Sequence, residues 1–327
     1  MSQERIRVSI GTASLLGLAV CRQAVPPTTA YLLSYVGDKC AANCAFCPQA
    51  RESGSKTSHL SRIEWPTFRL KGVIEAISHN TDLQRVCLQS LNFPLRYQYV
   101  SDVIGMIGDK CSTPISLCTP PLSLSQMEEL HELGLDRICF AVDAAEPELF
   151  DRIKGKKAGG PYTWDEHMSA LEEAQHVFGP GGVTTHLIQG MGETEESLIS
   201  LIQRLKDQDI LPSLFALTPI SGTRMAETAP PAVSSYRRVQ AARHLILKGL
   251  LRSDDMVFQN GVLESFGRRS PELRGMLVDG LAFKTSGCPG CNRPFYNESP
   301  KGPIYNYPRE LTEKEVDEAL RVMEVLE

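Results

Sequence analysis

Three cysteines in the stretch Cys40-Ala-Ala-Asn-Cys44-Ala-Phe46-Cys47 constrain this chain most. The stretch follows an apolar run at 31–36, which predicts a buried strand, so the cysteines lie on the loop where that strand ends. Three thiolates at this spacing can bind three corners of one 4Fe-4S cluster and leave the fourth iron without a protein ligand. An iron with an open coordination position is a place for chemistry.

The rest of the chain alternates short β-branched or aromatic runs with amphipathic stretches, which is typical of βα units on a parallel sheet. The predicted strands lie near 31–36, 84–90, 114–118, 137–143, 183–189 and 212–218, and the last strands are expected near 255–260 and 281–284. With 327 residues, the chain fits one α/β barrel of the (β/α) TIM type. We expect an N-terminal extension at 1–30, the barrel at 31–285 and a C-terminal tail at 286–327.

The composition is that of an ordinary globular protein, with 42% hydrophobic residues, 22% charged residues and a formal net charge of -5. No run approaches the length of a membrane helix, and no basic run favours nucleic acid as the main partner. The segment Leu15–Cys21 has some features of an export signal, but it is short and Gly17 interrupts it. Ten cysteines, mostly single or in short groups, predict reduced thiols, metal binding and a cytoplasmic location.

The spacing of the first three cysteines, their position after a strand and the aromatic Phe46 resemble the radical S-adenosylmethionine superfamily. The resemblance implies that Cys40, Cys44 and Cys47 bind a 4Fe-4S cluster whose open iron is chelated by S-adenosylmethionine, and that Phe46 lies beside the adenine. One electron from the cluster then cleaves the cofactor and produces a 5'-deoxyadenosyl radical. A zinc site that lacks one ligand and a coincidental grouping in a cysteine-rich chain are the alternative interpretations of the same cysteines.

Two further segments resemble cofactor-binding elements of that superfamily. In His186–Thr194, the resemblance assigns Ile188, Gly190 and Glu193 to cofactor contacts, and it assigns Asp143 to a ribose hydroxyl. Without the resemblance, the first segment is only a strand entering a capped helix, and Asp143 is a helix N-cap. The second-strand Gly-Gly-Glu element of many members is replaced by Gln89-Ser90-Leu91-Asn92, so other groups must bind the methionyl amine.

A second cysteine pair, Cys288 and Cys291, lies between glycines in the tail and suits zinc, an iron-sulfur cluster or a redox disulfide. Cys87 and Cys118 resemble two of the interior cysteines that bind the sulfur-donating cluster of biotin synthase, and Thr184 replaces the third. The resemblance therefore predicts an auxiliary cluster, of the 4Fe-4S type, on these four cysteines.

Three other cysteines are weaker candidates for ligands of the auxiliary cluster. Cys21 is the substitute ligand if Cys87 or Cys118 fails. Cys111 and Cys139 lie in apolar surroundings, which predicts packing roles.

Cys47-Pro48-Gln49 and Thr218–Thr223 resemble the biotin and lipoyl synthase branch, and the tail resembles one component of the two-protein lipoyl synthase. The implied activity is a sulfurtransferase reaction at C6 or C8 of an octanoyl chain on a lipoyl carrier domain or an octanoyl-lysine peptide. The implied partners are a related second radical SAM subunit and an electron donor such as ferredoxin or flavodoxin. The alternatives are a biotin-synthase-like or other radical enzyme acting on a small molecule, with a structural CxxC metal site, and a non-catalytic iron-sulfur carrier or scaffold.

Overall fold

A computed structural model describes residues 4–325 and shows an α/β fold built on a mostly parallel sheet. The strands are β1 Arg5–Val8, β2 Thr29–Ser34, β3 His59–Leu60, β4 Ile63–Glu64, β5 Thr67–Arg69, β6 Arg85–Gln89, β7 Ile115–Cys118, β8 Leu135–Cys139, β9 Val183–Gln189, β10 Leu211–Ala216, β11 Val257–Gln259 and β12 Val262–Ser265. The helices are α1 Ile10–Leu15, α2 Leu70–Ser78, α3 Arg96–Gly108, α4 Leu124–Glu132, α5 Pro147–Ile153, α6 Trp164–Phe178, α7 Glu195–Asp207, α8 Val233–Leu247, α9 Ser270–Leu277 and α10 Glu313–Val322.

The central sheet has eight strands in the order β10-β9-β8-β7-β6-β2-β1-β5. From β2 to β10 the neighbours are parallel, and they alternate along the chain with helices, as the predicted TIM-type class requires. β2 is buried at every position, which is the pattern expected of a strand covered on both faces. The fold class and all six predicted units are confirmed, with strand ends shifted by no more than a few residues.

The segment before residue 30 contributes to the sheet directly. β1 pairs antiparallel with β2, where Arg7 lies opposite Leu33, and with β5 on its other side. The Arg7 side chain is buried because its guanidinium donates to Gln49 Oε1 at 2.9 Å and to the Thr57 carbonyl at 2.7 Å. The N-terminal segment is therefore fixed to the loop that follows the first three cysteines.

Two expected late strands differ from the structure. The stretch near 255–260 forms β11, which pairs only with β12 in a separate hairpin. The stretch near 281–284 forms a 3-10 turn at Leu281–Phe283, because Gly280 is in the left-handed region (φ +69) and Lys284 makes only an isolated bridge to Tyr307. The strand expected near 255–260 is therefore confirmed, although it lies outside the central sheet, and the strand expected near 281–284 was wrong.

The C-terminal tail packs against the sheet between its two edge strands, β10 and β5. Ser286 Oγ accepts from the Leu214 amide of β10 at 2.7 Å, and further along the tail Ser61 Oγ of the β3–β4 hairpin donates to the Tyr296 carbonyl at 2.8 Å. Between these contacts, Asn292 Oδ1 accepts from the Thr28 amide just before β2 at 3.0 Å. Among residues 4–325 no strand pairing joins β10 to β5, and the tail contacts β10 and the β3–β4 hairpin.

Candidate active site

The loop that bears Cys40, Cys44 and Cys47 is held by backbone hydrogen bonds. The Cys40 amide donates to the Gln49 carbonyl at 2.9 Å, and the Ala45 amide donates to the carbonyl of Ile153, the last residue of α5, at 2.7 Å. These bonds give the loop a defined shape.

Cys40 is buried, Cys44 and Cys47 are half-buried, and the three thiols lie within electrostatic reach of one another. Burial raises the pKa of all three, that of Cys44 to about 12, so metal binding must displace their protons. Cys40 Sγ accepts from the amides of Asn92 at 3.1 Å and Ala42 at 3.4 Å, and such bonds favour a thiolate. Converging thiols with amide donors fit an iron-sulfur cluster.

The candidate cofactor residues fall into two groups. Phe46 and Ile188 line the cavity described below. Gly190 and Glu193 form the turn after β9 and are not among the cavity-lining residues. Both Glu193 carboxylate oxygens accept from backbone amides, those of Gly190 and Met191. Gly190 has φ +105, and a β-carbon there would lie 2.8 Å from Pro231 Cδ, so this turn requires glycine.

Asp143 lies just beyond β8 and points into the same cavity. Its backbone bonds to β9 on both sides, because the Asp143 amide donates to the His186 carbonyl at 2.7 Å and the Ile188 amide donates to the Asp143 carbonyl at 2.8 Å. Its carboxylate Oδ2 accepts from Lys154 Nζ at 2.7 Å, and both side chains are buried. Helix α5 has Glu146 as its N-cap residue with no side-chain cap bond, so Asp143 is not a helix cap.

The structure brings together the four cysteines that the sequence analysis assigns to an auxiliary cluster. Cys87 lies within electrostatic reach of Cys118, Cys288 and Cys291, and all four line the cavity. Burial raises the pKa of Cys87 and Cys288. The Tyr31 hydroxyl lies 3.2 Å from Cys291 Sγ, which connects the tail to β2 across 260 residues of sequence.

Cys21 and Cys111 do not line the cavity. Cys21 is half-buried away from the cavity, and its Sγ lies 3.7 Å from the Arg22 carbonyl. Cys111 Sγ contacts the Ile74 carbonyl at 3.9 Å between helices, which agrees with a packing role.

Cys139 lies on the cavity wall rather than in the outer packing layer, and sequence reasoning missed this. Its thiol hydrogen-bonds to Cys118 and Thr184, and burial raises its pKa. Ligand atoms of Cys118, Cys139 and His186 lie within 4.8 Å of one another. Burial lowers the pKa of His186 to about 4, so its imidazole is neutral. No local sequence pattern shows this, because the register that places Cys118, Cys139 and Thr184 side by side is set by the pairing of three separate strands.

One cavity, with a volume of about 200 Å³, reaches from the first cysteine loop to the tail pair. Cys47 and Phe46 line one end, and Cys87, Cys288 and Cys291 line the other. Most of the exposed wall between them is apolar. The same cavity therefore reaches both cysteine groups to which the sequence analysis assigns clusters.

Comparison with known proteins agrees with this geometry. Biotin synthase from Chlamydia pneumoniae is 25% identical over 68% of this chain and 66% of its own length, and that from Maricaulis maris (strain MCS10) is 27% identical over 71% and 68%. A biotin synthase from Streptococcus agalactiae matches over only 57% of its length, so the chain spans from just over half to about two thirds of these curated relatives.

Solved structures show the same fold. The FeFe-hydrogenase maturase HydG from Carboxydothermus hydrogenoformans superposes with a TM-score of 0.53 at 17% identity, covering 90% of this chain and 65% of that one. Methylornithine synthase superposes with a TM-score of 0.50 at 13% identity, covering 65% and 60%. The model of the Radical SAM superfamily matches residues 34–205, more than half of the chain. This chain therefore belongs to the Radical SAM superfamily.

Proposed function

We propose that this protein inserts sulfur into an unactivated C–H bond, at C6 or C8 of an octanoyl chain attached to a lysine. The observation that carries the proposal is the shared cavity, which has the Cys40, Cys44 and Cys47 loop at one end and the Cys87, Cys118, Cys288 and Cys291 group at the other. When bound, the first cluster with S-adenosylmethionine supplies a radical that removes a hydrogen atom, and the auxiliary cluster supplies sulfur.

The protein's own part in this reaction is to bind and orient the acyl chain and to exclude water. The cavity wall between the two cysteine groups includes Leu117, Phe215 and Leu217, and Trp65 and Tyr296 pack edge to face beside it. An acyl chain buried among such side chains gains about 0.8 kcal/mol for each CH₂ removed from water. Apolar walls also offer few other groups for a carbon radical to attack.

The mouth of the cavity suits a substrate carried on another protein. Leu60, Ser61 and Ile220 line the cavity and are only partly buried, so this edge faces solvent. Exposed cationic side chains flank it, since Lys56 precedes the β3–β4 hairpin and Arg62 lies within it. These charges support docking of an acidic lipoyl carrier domain. The proposed further partners are a related radical SAM subunit for the second thiolation and a ferredoxin or flavodoxin as electron donor.

The test is turnover of an octanoyl-lysine peptide by the reconstituted protein, with and without the related second subunit, followed by mass spectrometry. This chain alone should produce one mono-thiol, and the pair should produce the dithiol. Formation of 5'-deoxyadenosine without any thiolated peptide contradicts the proposed substrate. Absence of 5'-deoxyadenosine in every reaction contradicts radical chemistry altogether.

A biotin-synthase-like reaction on a small molecule is the second candidate, and the curated relatives favour it because they carry that name over about 70% of this chain. Thr184 argues against an identical sulfur-donor site, since it lies on the cavity wall beside Cys139 where the resemblance expects a cysteine. Competing the octanoyl peptide against the sulfur-free precursor of biotin in one reaction separates the two candidates by which product gains sulfur.

A further inference from the structure

Lys154 is a buried cation beside the first cysteine loop. It directly follows α5, and its ammonium donates to Asp143 Oδ2 at 2.7 Å and to the Ala141 carbonyl. The ammonium also lies 5.8 Å from the ring centroid of Phe150 and 5.5 Å from that of Tyr162. Its side chain is 7% exposed, so water does not screen this charge effectively.

Lys154 carries its charge despite burial. Desolvation by burial lowers the pKa of this ammonium, but the carboxylate of Asp143, together with Cys44 when it is a thiolate, outweighs it, and the pKa rises above its ordinary value. Lys154 in turn favours the thiolate forms of Cys44 and Cys40. Its other titratable neighbours are Cys118, His167 and His186, and burial lowers the pKa of both histidines. Asp143 is thus its carboxylate partner, and the thiols of Cys40 and Cys44 become negative groups near it only when metal binding removes their protons.

A [4Fe-4S] cluster gains one negative charge on reduction, so a nearby buried cation stabilises the reduced form more than the oxidised form. The same ammonium fixes Oδ2 of Asp143, a residue that lines the cavity. We propose that Lys154 is a positioning residue with two roles: it raises the reduction potential of the cluster on Cys40, Cys44 and Cys47, and it holds Asp143 for a ligand hydroxyl. The proposal rests on that ligand set and is independent of the proposed acyl substrate.

The test is the midpoint potential of the first cluster, measured by titration with electron paramagnetic resonance in the Cys288→Ala/Cys291→Ala background. Lys154→Met removes the charge and keeps a similar length of side chain. At a fixed potential the reduced-to-oxidised ratio should fall at least tenfold, a shift of 59 mV for one electron. Lys154→Arg should stay within a few-fold of the parent. Lys157→Met is the matched control, because Lys157 is 66% exposed and pairs only with surface Asp151.

The carboxylate variants separate charge from packing. Asp143→Asn leaves Lys154 without its counter-charge and should raise the reduced-to-oxidised ratio at least tenfold. Asp143→Asn combined with Lys154→Met removes both charges and should return the potential towards that of the parent. If Lys154→Met does not bind a cluster, the potential of Asp143→Asn alone tests the proposal. The proposal is overturned if the reduced-to-oxidised ratio changes less than tenfold in either single variant. It is also overturned if the midpoint potential of the double variant is shifted as far from that of the parent as the potential of Lys154→Met.

Discussion

The position of the tail pair depends on Gly290, and substituting this residue tests the route of the tail. Gly290 has φ +79, and a β-carbon there would lie 3.0 Å from Gln84 Cβ and closer still to Gln84 Oε1. The left-handed backbone costs an alanine about 1–2 kcal/mol, and overpacking costs about 1–3 kcal/mol more. Gly290→Ala should therefore displace Cys288 and Cys291 and lower the iron content from about eight to about four per chain if both clusters are 4Fe-4S.

Gly249→Ala is the matched control, because Gly249 has φ +68 and a β-carbon there meets nothing within 4 Å. This variant bears the backbone cost alone and should keep all its iron. Adding Gln84→Ala to Gly290→Ala removes the nearest contact and should restore part of the lost iron. If Gly290→Ala keeps as much iron as Gly249→Ala, the tail does not hold the auxiliary cluster in the way described.

Three other predictions concern separate parts of the molecule. Cys288→Ala/Cys291→Ala should halve the iron from about eight to about four per chain and leave substrate-free formation of 5'-deoxyadenosine intact, whereas unchanged iron would refute the auxiliary site. Cys40→Ala should abolish formation of 5'-deoxyadenosine, and retained cleavage would exclude Cys40 as a ligand. Burial lowers the pKa of His167 from 6.5 to about 2, so the folded state disfavours the imidazolium and stability is lost as pH falls below 6.5. At about pH 5 the loss is roughly 2 kcal/mol by linkage, and a urea titration of His167→Phe should lack it; an unchanged pH dependence contradicts this origin.

The parallel strands could be predicted from the sequence because each is a short apolar run, as expected of a strand that is covered on both faces of the sheet. β9 was predicted with the bounds that it has, Val183–Gln189. β1 was missed, since Arg5 and Arg7 interrupt its apolar pattern and only long-range partners bury Arg7. The turn at Leu281–Phe283 was mistaken for a strand because local hydrophobicity does not distinguish the two.

The site was only partly predictable. The first cysteine loop has a local spacing that implies its chemistry, whereas the contact of Tyr31 with Cys291 depends on where a tail packs 260 residues later. Cys139 was assigned to packing because no local pattern shows which side of a strand faces the cavity. No sequence pattern marks Lys154, because its ion pair with Asp143 forms only when α5 folds between the two residues.

The central claim is that one cavity connects a radical-generating site to a sulfur-donating site in the same chain. The most direct measurement is a single turnover of the octanoyl-lysine peptide by protein whose clusters were reconstituted with isotopically heavy sulfide, after free sulfide has been removed. We expect a mono-thiol peptide that carries the heavy isotope, and no thiol from Cys288→Ala/Cys291→Ala. A thiol formed equally well by that variant, or one that contains only light sulfur, contradicts the central claim.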